Sequence, residues 1–527
     1  MGSLTTRLLT LLTSLLLLTP SLVLGLTNPV LWHDLADLDI FRVNTTYYYS
    51  ASTMHHSPGA PILRSNDLAN WEYIGHSLPR LQFDNRPEFD LTNGQRAYVK
   101  GVWASWMRFV PQKNTWFWGG CISGVGRTVI MKAPAATGPW TKHTELSKCY
   151  YDSGLFVDDN GTMYISYSNG GPTWVAQMNA DLTAEVRSQL VFTAPTPPGY
   201  LEGTRMYKRN GTYYILLTKP PDGTWMIKSS SPWGPYTLKV LVQGVPNPVP
   251  GANAPHQGAL IDLPDGRWAY AGFLDAYPGG RIPVIAPVTW GSDGFPAVTL
   301  VNGALGATYP DFLPSSPVPS LNARDTFPGP SLGPQWEWNH NPDTSRFALS
   351  SSSGLRLTTA SQTFDIYQAR NTLTRRIPGP ISTATIQLNY GEMRDGDRAG
   401  LALWRDRSAW IGVIRNNGTI SVAYTDTVDL TLSSWTTANS GVIRTTAPIS
   451  GGTIYLRISA DVQPSGNKQA TFKWSTNQSQ WNQIGTYTMS TVWNFFLGYR
   501  FAIFNYGTVG TGGAVTVPWF QIDMGRL

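Results

Sequence analysis

Charged residues are scarce in this chain: Asp, Glu, Lys and Arg make up 14% of its 527 residues, with a formal net charge of +6. So small an excess over such a length offers no focused field of the kind that nucleic acid requires, and an uncharged partner suits it better. Cysteine is scarcer still, limited to Cys121 and Cys149. Neither has the spacing of a metal-binding or catalytic cysteine motif. Heptads and long amphipathic helical stretches are not evident, and beyond residue 25 no apolar run is long enough to span a bilayer.

What is present points to export. Residues 1–25, "MGSLTTRLLTLLTSLLLLTPSLVLG", carry one Arg, a leucine-rich run and small residues near Gly25, the layout of a secretory signal peptide. The expectation is a secreted, extracellular protein in which Cys121 and Cys149 form a disulfide. Five N-x-[ST] sequons, at Asn44, Asn160, Asn210, Asn417 and Asn477, fit glycosylation on exposed turns. Aromatics reach 12%, with 51 Gly and 39 Pro, a composition of short strands and turns. The chain reads as all-β and long enough for two domains.

The first three hundred residues hide a repeat. "ADLDIFRVNTTYYYSAS", "VWASWMRFVPQKNTWFWGG", "YDSGLFVDDNGTMYISYS", "LEGTRMYKRNGTYYILLT" and "HQGALIDLPDGRWAYAGF" each give an anchor, a short apolar strand, a turn, and a second strand opening near Tyr or Trp. Asn-Gly and Asp-Gly suit the positive φ of tight hairpins. Anchors recur every 50 to 65 residues or so, enough for one four-stranded sheet each. The expected architecture is a five-bladed β-propeller over residues 26–309. Its first strands line the axis and bring together Asp37, Trp103, Asp152, Glu202 and His256. Residues 310–320, rich in Pro and Ser, read as a linker. Alternating segments beyond it, such as "STATIQLNY" and "GTIYLRISA", predict a β-sandwich over residues 321–527.

Three acids around one funnel suit glycoside hydrolysis, which takes an acid to protonate the leaving oxygen and a base to activate water. A third carboxylate can raise the acid's pKa and orient it. Alone, each has a bland alternative: Asp37, Asp39 or Asp152 as turn caps, and Glu202 in a surface ion pair with Arg205. Alternation cannot choose between Asp37 and Asp39, which lie two residues apart. The doublet His55-His56 is not expected to chelate a metal, since neighbours on a strand point to opposite faces, and fits a loop flanking the pocket.

These residues resemble glycoside hydrolase family 43. The segment "DLDIFRV" is similar to the family's base motif, "DSGLF" to that of its pKa modulator and "EGTRMYK" to that of its acid. The resemblance implies a five-bladed propeller with Asp37 as general base, Asp152 as modulator and orienter, and Glu202 as general acid. It also implies substrate contacts by Trp103, His256 and Arg281, the last with Asp275 as an alternative partner. No cofactor is required, although a structural calcium ion on the propeller axis is compatible with the family. Leu38, Ala36 and "WASWMR" depart from the common pattern, which bears on substrate preference. Segments "WEWNHNPDTSRFAL", "MRDGDRAGLALW" and "GYRFAIFNYGT" resemble a fungal branch of arabinoxylan arabinofuranosidases that release 3-linked arabinose from doubly substituted xylose. The implied activity is inverting release of terminal α-L-arabinofuranosyl units from plant cell-wall arabinoxylan by a monomer. A β-xylosidase, an arabinan-degrading enzyme and a silent carbohydrate-binding propeller are the alternatives. The sandwich would either bind polymer or wall the cleft.

Overall fold

The computed structural model describes residues 25–168 and 170–525, so the expected leader lies almost wholly outside the described residues. Five four-stranded antiparallel sheets follow one another along the chain. Their first strands are Asp39–Val43, Gly101–Val110, Tyr151–Val157, Glu202–Arg209 and His256–Asp262. These pack on one another in a ring that closes between the fifth and the first, giving the five-bladed propeller. Leu26 pairs with Tyr309 and Thr27 with Thr308, so the beginning and end of the propeller are joined by main-chain bonds.

The core lies between blades. Ile62, Trp118 and Val129 pack blades one and two, while Ile165, Trp106 and Leu155 pack two and three. Ala259, Val284, Leu38 and Ile40 join blade five to blade one. A second strand such as Thr212–Lys219 is covered on both faces, which is why "TYYILLT" is continuously apolar rather than alternating. Its hairpin turns at Asn210 and Gly211, both at positive φ as such a tight turn requires.

Residues 310–320 carry no strand but are held against the propeller: Phe312 is buried, and the Ser316 N–H donates to Asp67 Oδ2 at 2.7 Å. Beyond them stand two packed sheets around a core that includes Leu388, Leu401, Ile411, Leu456 and Phe472. The propeller lends one of these sheets its edge, since Ser57 pairs with Trp338 and His56 with Asn339. The disulfide is formed, with Cys121 and Cys149 5.0 Å apart at Cα, and links blade two to the approach to blade three. All five sequon asparagines are exposed.

The His55-His56 doublet corrects an expectation. It lies in the seam between propeller and sandwich rather than on a loop beside the pocket, and its rings do not point apart. Their centroids are 4.4 Å apart, and His55 lies 4.8 Å from His340. His55 lies in a turn just after Met54, which is at φ 52, and only His56 enters the two-residue strand His56–Ser57, so regular alternation does not apply. All three rings are buried, and burial holds each well below the ordinary histidine pKa, with Arg500 adding to the effect on His55 and His56, and His55 and Arg96 on His340. His33, buried nearby in the propeller, is lowered to about 3 for the same leading reason.

Such groups are neutral when folded and take up protons only on unfolding. Their contribution is complete above the unfolded pKa near 6.5 and is lost as pH falls toward the folded values. Each accounts for about 1.4 kcal/mol per pH unit in that window. Thermal unfolding followed between pH 7.5 and 5 should show a steep fall in midpoint, lessened in His340→Gln.

Candidate active site

A bulge recurs at one end of the inner strands. Pairing with the second strand breaks between Val102 and Ser105, Tyr151 and Gly154, Glu202 and Arg205, and His256 and Ala259. In blade one the ladder begins at Asp39, five residues before its turn at Asn44, as Arg205 stands five before Asn210. Asp37, Trp103, Asp152, Gly203 and Gln257 therefore occupy equivalent positions. This shifts the register read from the sequence: Glu202 and His256 correspond to Tyr151, one residue before the position of Asp152. A bulge turns successive side chains toward the same end of the ring, so acids one register apart still converge. Asp37, Asp152, Gly203 and Gln257 have φ of 55°, 49°, 66° and 36°, a conformation that non-glycine residues seldom adopt.

The three acids are close enough to act on one another. Asp152 is buried, and desolvation, then the charges of Glu202 and Asp37, push its carboxyl well above the usual range. Glu202 is also raised, first by burial and then by Asp37, against a hydrogen bond donated by the Tyr200 hydroxyl at 2.7 Å. The bland pairing of Glu202 with Arg205 does not form. Arg205 is buried beneath the site, 3.6 Å from Asp39, and donates to the carbonyls of Ser153, Ser105 and Asp37. Asp39 also pairs with Arg108 and accepts from the Met107 N–H, so it is the structural member of the Asp37/Asp39 pair.

Arg281 does not pair with Asp275 as its alternative reading had it. Its Nη1 donates to Asp37 Oδ1 at 2.9 Å, and its Nε donates to the Phe496 carbonyl at 3.1 Å. Burial opposes the Arg281 charge, but Asp37 and its neighbours outweigh that and raise its pKa. Asp34, unremarked in the sequence, secures the arrangement. It accepts from the Arg281 N–H at 2.8 Å and from the Gly498 N–H at 2.9 Å, tying the propeller strand to the sandwich. The approach is close, since a Cβ on Gly498 would run into Gly279 O.

Of these groups, Glu202 and Arg281 line a cavity of about 740 Å³ whose wall also includes His256 and Gln257 from the propeller and Lys468, Trp493 and Phe496 from the sandwich. The sandwich thus walls the pocket. His256 Nε2 is 3.7 Å from Asp275 Oδ2, and its ring packs on Phe273. Trp103 borders a separate cavity of about 190 Å³ with Tyr151 and Asp152, and donates from Nε1 to the Val99 carbonyl at 2.7 Å. Among the described residues no set of three His, Cys, Asp or Glu side chains is arranged to hold a metal ion, so no chemistry is assigned to calcium.

The family described as Glycosyl hydrolases family 43 matches residues 26–296, and a Beta xylosidase C-terminal Concanavalin A-like domain matches residues 324–523. A beta-xylosidase of Formosa agariphila is 27% identical over 94% of this chain and 90% of its own. A non-reducing end alpha-L-arabinofuranosidase of Bacteroides ovatus is 29% identical over 72% of this chain and 73% of its own. A solved structure of an engineered GH43 glycoside hydrolase, which displays both endo-xylanase and exo-arabinofuranosidase activity, superposes with a TM-score of 0.90. It is 40% identical and covers 94% of this chain and 99% of its own.

Proposed function

The chain belongs to glycosyl hydrolase family 43, and from that premise we propose that it is a secreted, inverting exo-hydrolase releasing terminal α-L-arabinofuranosyl units, α-1,3-linked on doubly substituted xylose, from arabinoxylan. The observation that carries the chemistry is the convergence of three acids, in which the charge of Asp37 acts on both Asp152 and Glu202, with Glu202 on the wall of the 740 Å³ pocket. Asp37, oriented by Arg281, is the general base that removes a proton from water attacking the anomeric carbon. Glu202, kept protonated by burial and by neighbouring negative charge, is the acid that protonates the departing oxygen. Asp152, whose carboxyl is pushed up by burial and then by the charges of Glu202 and Asp37, is the modulator that acts on the acid through its charge. His256 and Arg281 line the glycon site, and Trp103 borders the adjoining cavity beside Asp152.

The arabinofuranosyl preference is supported by the 40% identity to a protein with exo-arabinofuranosidase activity. A β-xylosidase is the second reading, favoured by the names of several relatives. Comparing the free sugars released from arabinoxylan, linear xylo-oligosaccharides and arabinan separates the two. Arabinose from arabinoxylan is expected, and xylose from linear oligosaccharides as the sole product would overturn the preference.

The pH profile carries the signature of Glu202. Activity should fall on the alkaline side as this raised group ionises. The Tyr200 hydroxyl stabilises the ionised form, so Tyr200→Phe should move the alkaline limb of kcat/KM to higher pH. An unmoved limb would assign it to another group.

A further inference from the structure

Gln257 occupies in blade five the bulge position that Asp37 and Asp152 occupy in blades one and three, and it shares their positive φ. A glutamine gains nothing from that conformation, which costs about 1 kcal/mol or more relative to a relaxed backbone. A strained non-glycine residue persists where the surrounding structure or the task demands its side chain. The surroundings do hold its main chain, since the Gln257 N–H donates to Thr218 Oγ1 at 3.1 Å. The side chain lies against Gly203, where a Cβ would come within 3.1 Å of Gln257 Cγ, so the glycine that follows Glu202 makes room for it.

The amide end has no such support. Gln257 is 6% exposed, lines the 740 Å³ pocket beside Glu202 and His256, and its Nε2 has no hydrogen-bond partner among the described residues. Buried donors are seldom left unmade, because each forfeits the hydrogen bonds it had in water. Arg281 Nη2, on the same wall, is likewise a buried donor with no partner among the described residues. Two idle donors facing a pocket beside a general acid match a ligand dense in hydroxyl oxygens.

We propose that Gln257 is a substrate-binding, specificity-determining residue whose Nε2 donates a hydrogen bond to a hydroxyl of the pentosyl unit being cleaved. The proposal rests on reading this pocket as a glycosidase site. Because the amide is neutral, it can approach Glu202 without changing the charge that the acid experiences, which a lysine in its place would do.

The test uses the full chain and two 4-nitrophenyl pentosides, the α-L-arabinofuranoside and the β-D-xylopyranoside, with monodeoxy analogues of whichever is cleaved. Gln257→Leu should lower kcat/KM on the parent glycoside about 10- to 100-fold. On the one deoxy analogue that lacks the partner hydroxyl, wild type and variant should agree within about twofold. Gln257→Gly, which suits the positive φ, should fold with an undiminished unfolding midpoint and show the same loss, which keeps the test valid if Gln257→Leu fails to fold. Wild-type kcat/KM in Gln257→Gly, or an equal loss on every deoxy analogue, would overturn the proposal while leaving the glycosidase reading intact. If the wild type cleaves neither pentoside, the glycosidase reading falls first and the role of Gln257 falls with it.

Discussion

Asp37→Ala should lower kcat/KM by about 10²–10⁴-fold on every substrate the enzyme accepts, whatever the leaving group. Water must lose its proton to something on the face opposite the departing oxygen, and no change in the aglycone supplies that base. Glu202→Ala should behave differently. On arabinoxylan, whose leaving group is a sugar alkoxide, the loss should be as large. On a 2,4-dinitrophenyl glycoside, whose phenolate departs without a proton, most of the rate should survive. Equal losses for both variants across both substrates would reverse or void the two assignments. The geometry adds a constraint: Arg281 bonds Asp37 Oδ1 and, through Phe496 and Asp34, is anchored to the sandwich.

The second large effect lies in the seam. Glu337→Gln should destabilise the folded protein by about 3–5 kcal/mol. Glu337 is fully buried and meets Arg376 at 2.8 Å, Arg500 at 2.5 Å and His76 of the propeller at 3.2 Å. Desolvation works against its charge, but Arg376 and Arg500 outweigh it and hold the carboxyl well below its usual range. Removing the charge strands two buried guanidiniums without a counter-ion. Glu337→Gln with Arg500→Met leaves only one stranded and should recover part of the loss. The depressed pKa adds stability that is complete above the unfolded value near 4.3 and is lost as pH falls below it. This compounds the histidine effect at more acid pH. Chemical denaturation of the single and double variants at pH 7 measures the difference, and an unchanged midpoint in Glu337→Gln would show that the cluster does not hold the two domains together.

Local chemistry carried much of this into the sequence. Five strand-turn-strand units, three of them turning at Asn-Gly or Asp-Gly, identify the blades, because tight hairpins favour those residues. The acids follow from the repeat, and the cysteine pair from the compartment. What escaped depends on contacts without local sequence signature. The bulges displaced the register by one, so that Asp152 matched Glu202 when its true counterparts are Trp103, Gly203 and Gln257. An extra residue in a ladder leaves the apolar pattern on either side almost unchanged. In "HQG" the titratable His256 stands out, although the matching spacing of Asp37 and Asp152 from their turns points to Gln257. His55 and His56 meet His340 across some 280 residues of chain, and Asp34 meets Gly498 across 464. No periodicity reports such pairings.

In the proposed mechanism Asp37 and Glu202 carry out a single displacement on an arabinofuranosyl unit. Proton NMR of wheat arabinoxylan during the first minutes of digestion tests it most directly, because it reads the lost linkage and the anomer of the sugar formed before mutarotation. Loss of the signal from α-1,3-linked arabinose on doubly substituted xylose is expected, with β-L-arabinofuranose appearing first. First appearance of the α-anomer, or of xylose without arabinose, would contradict it.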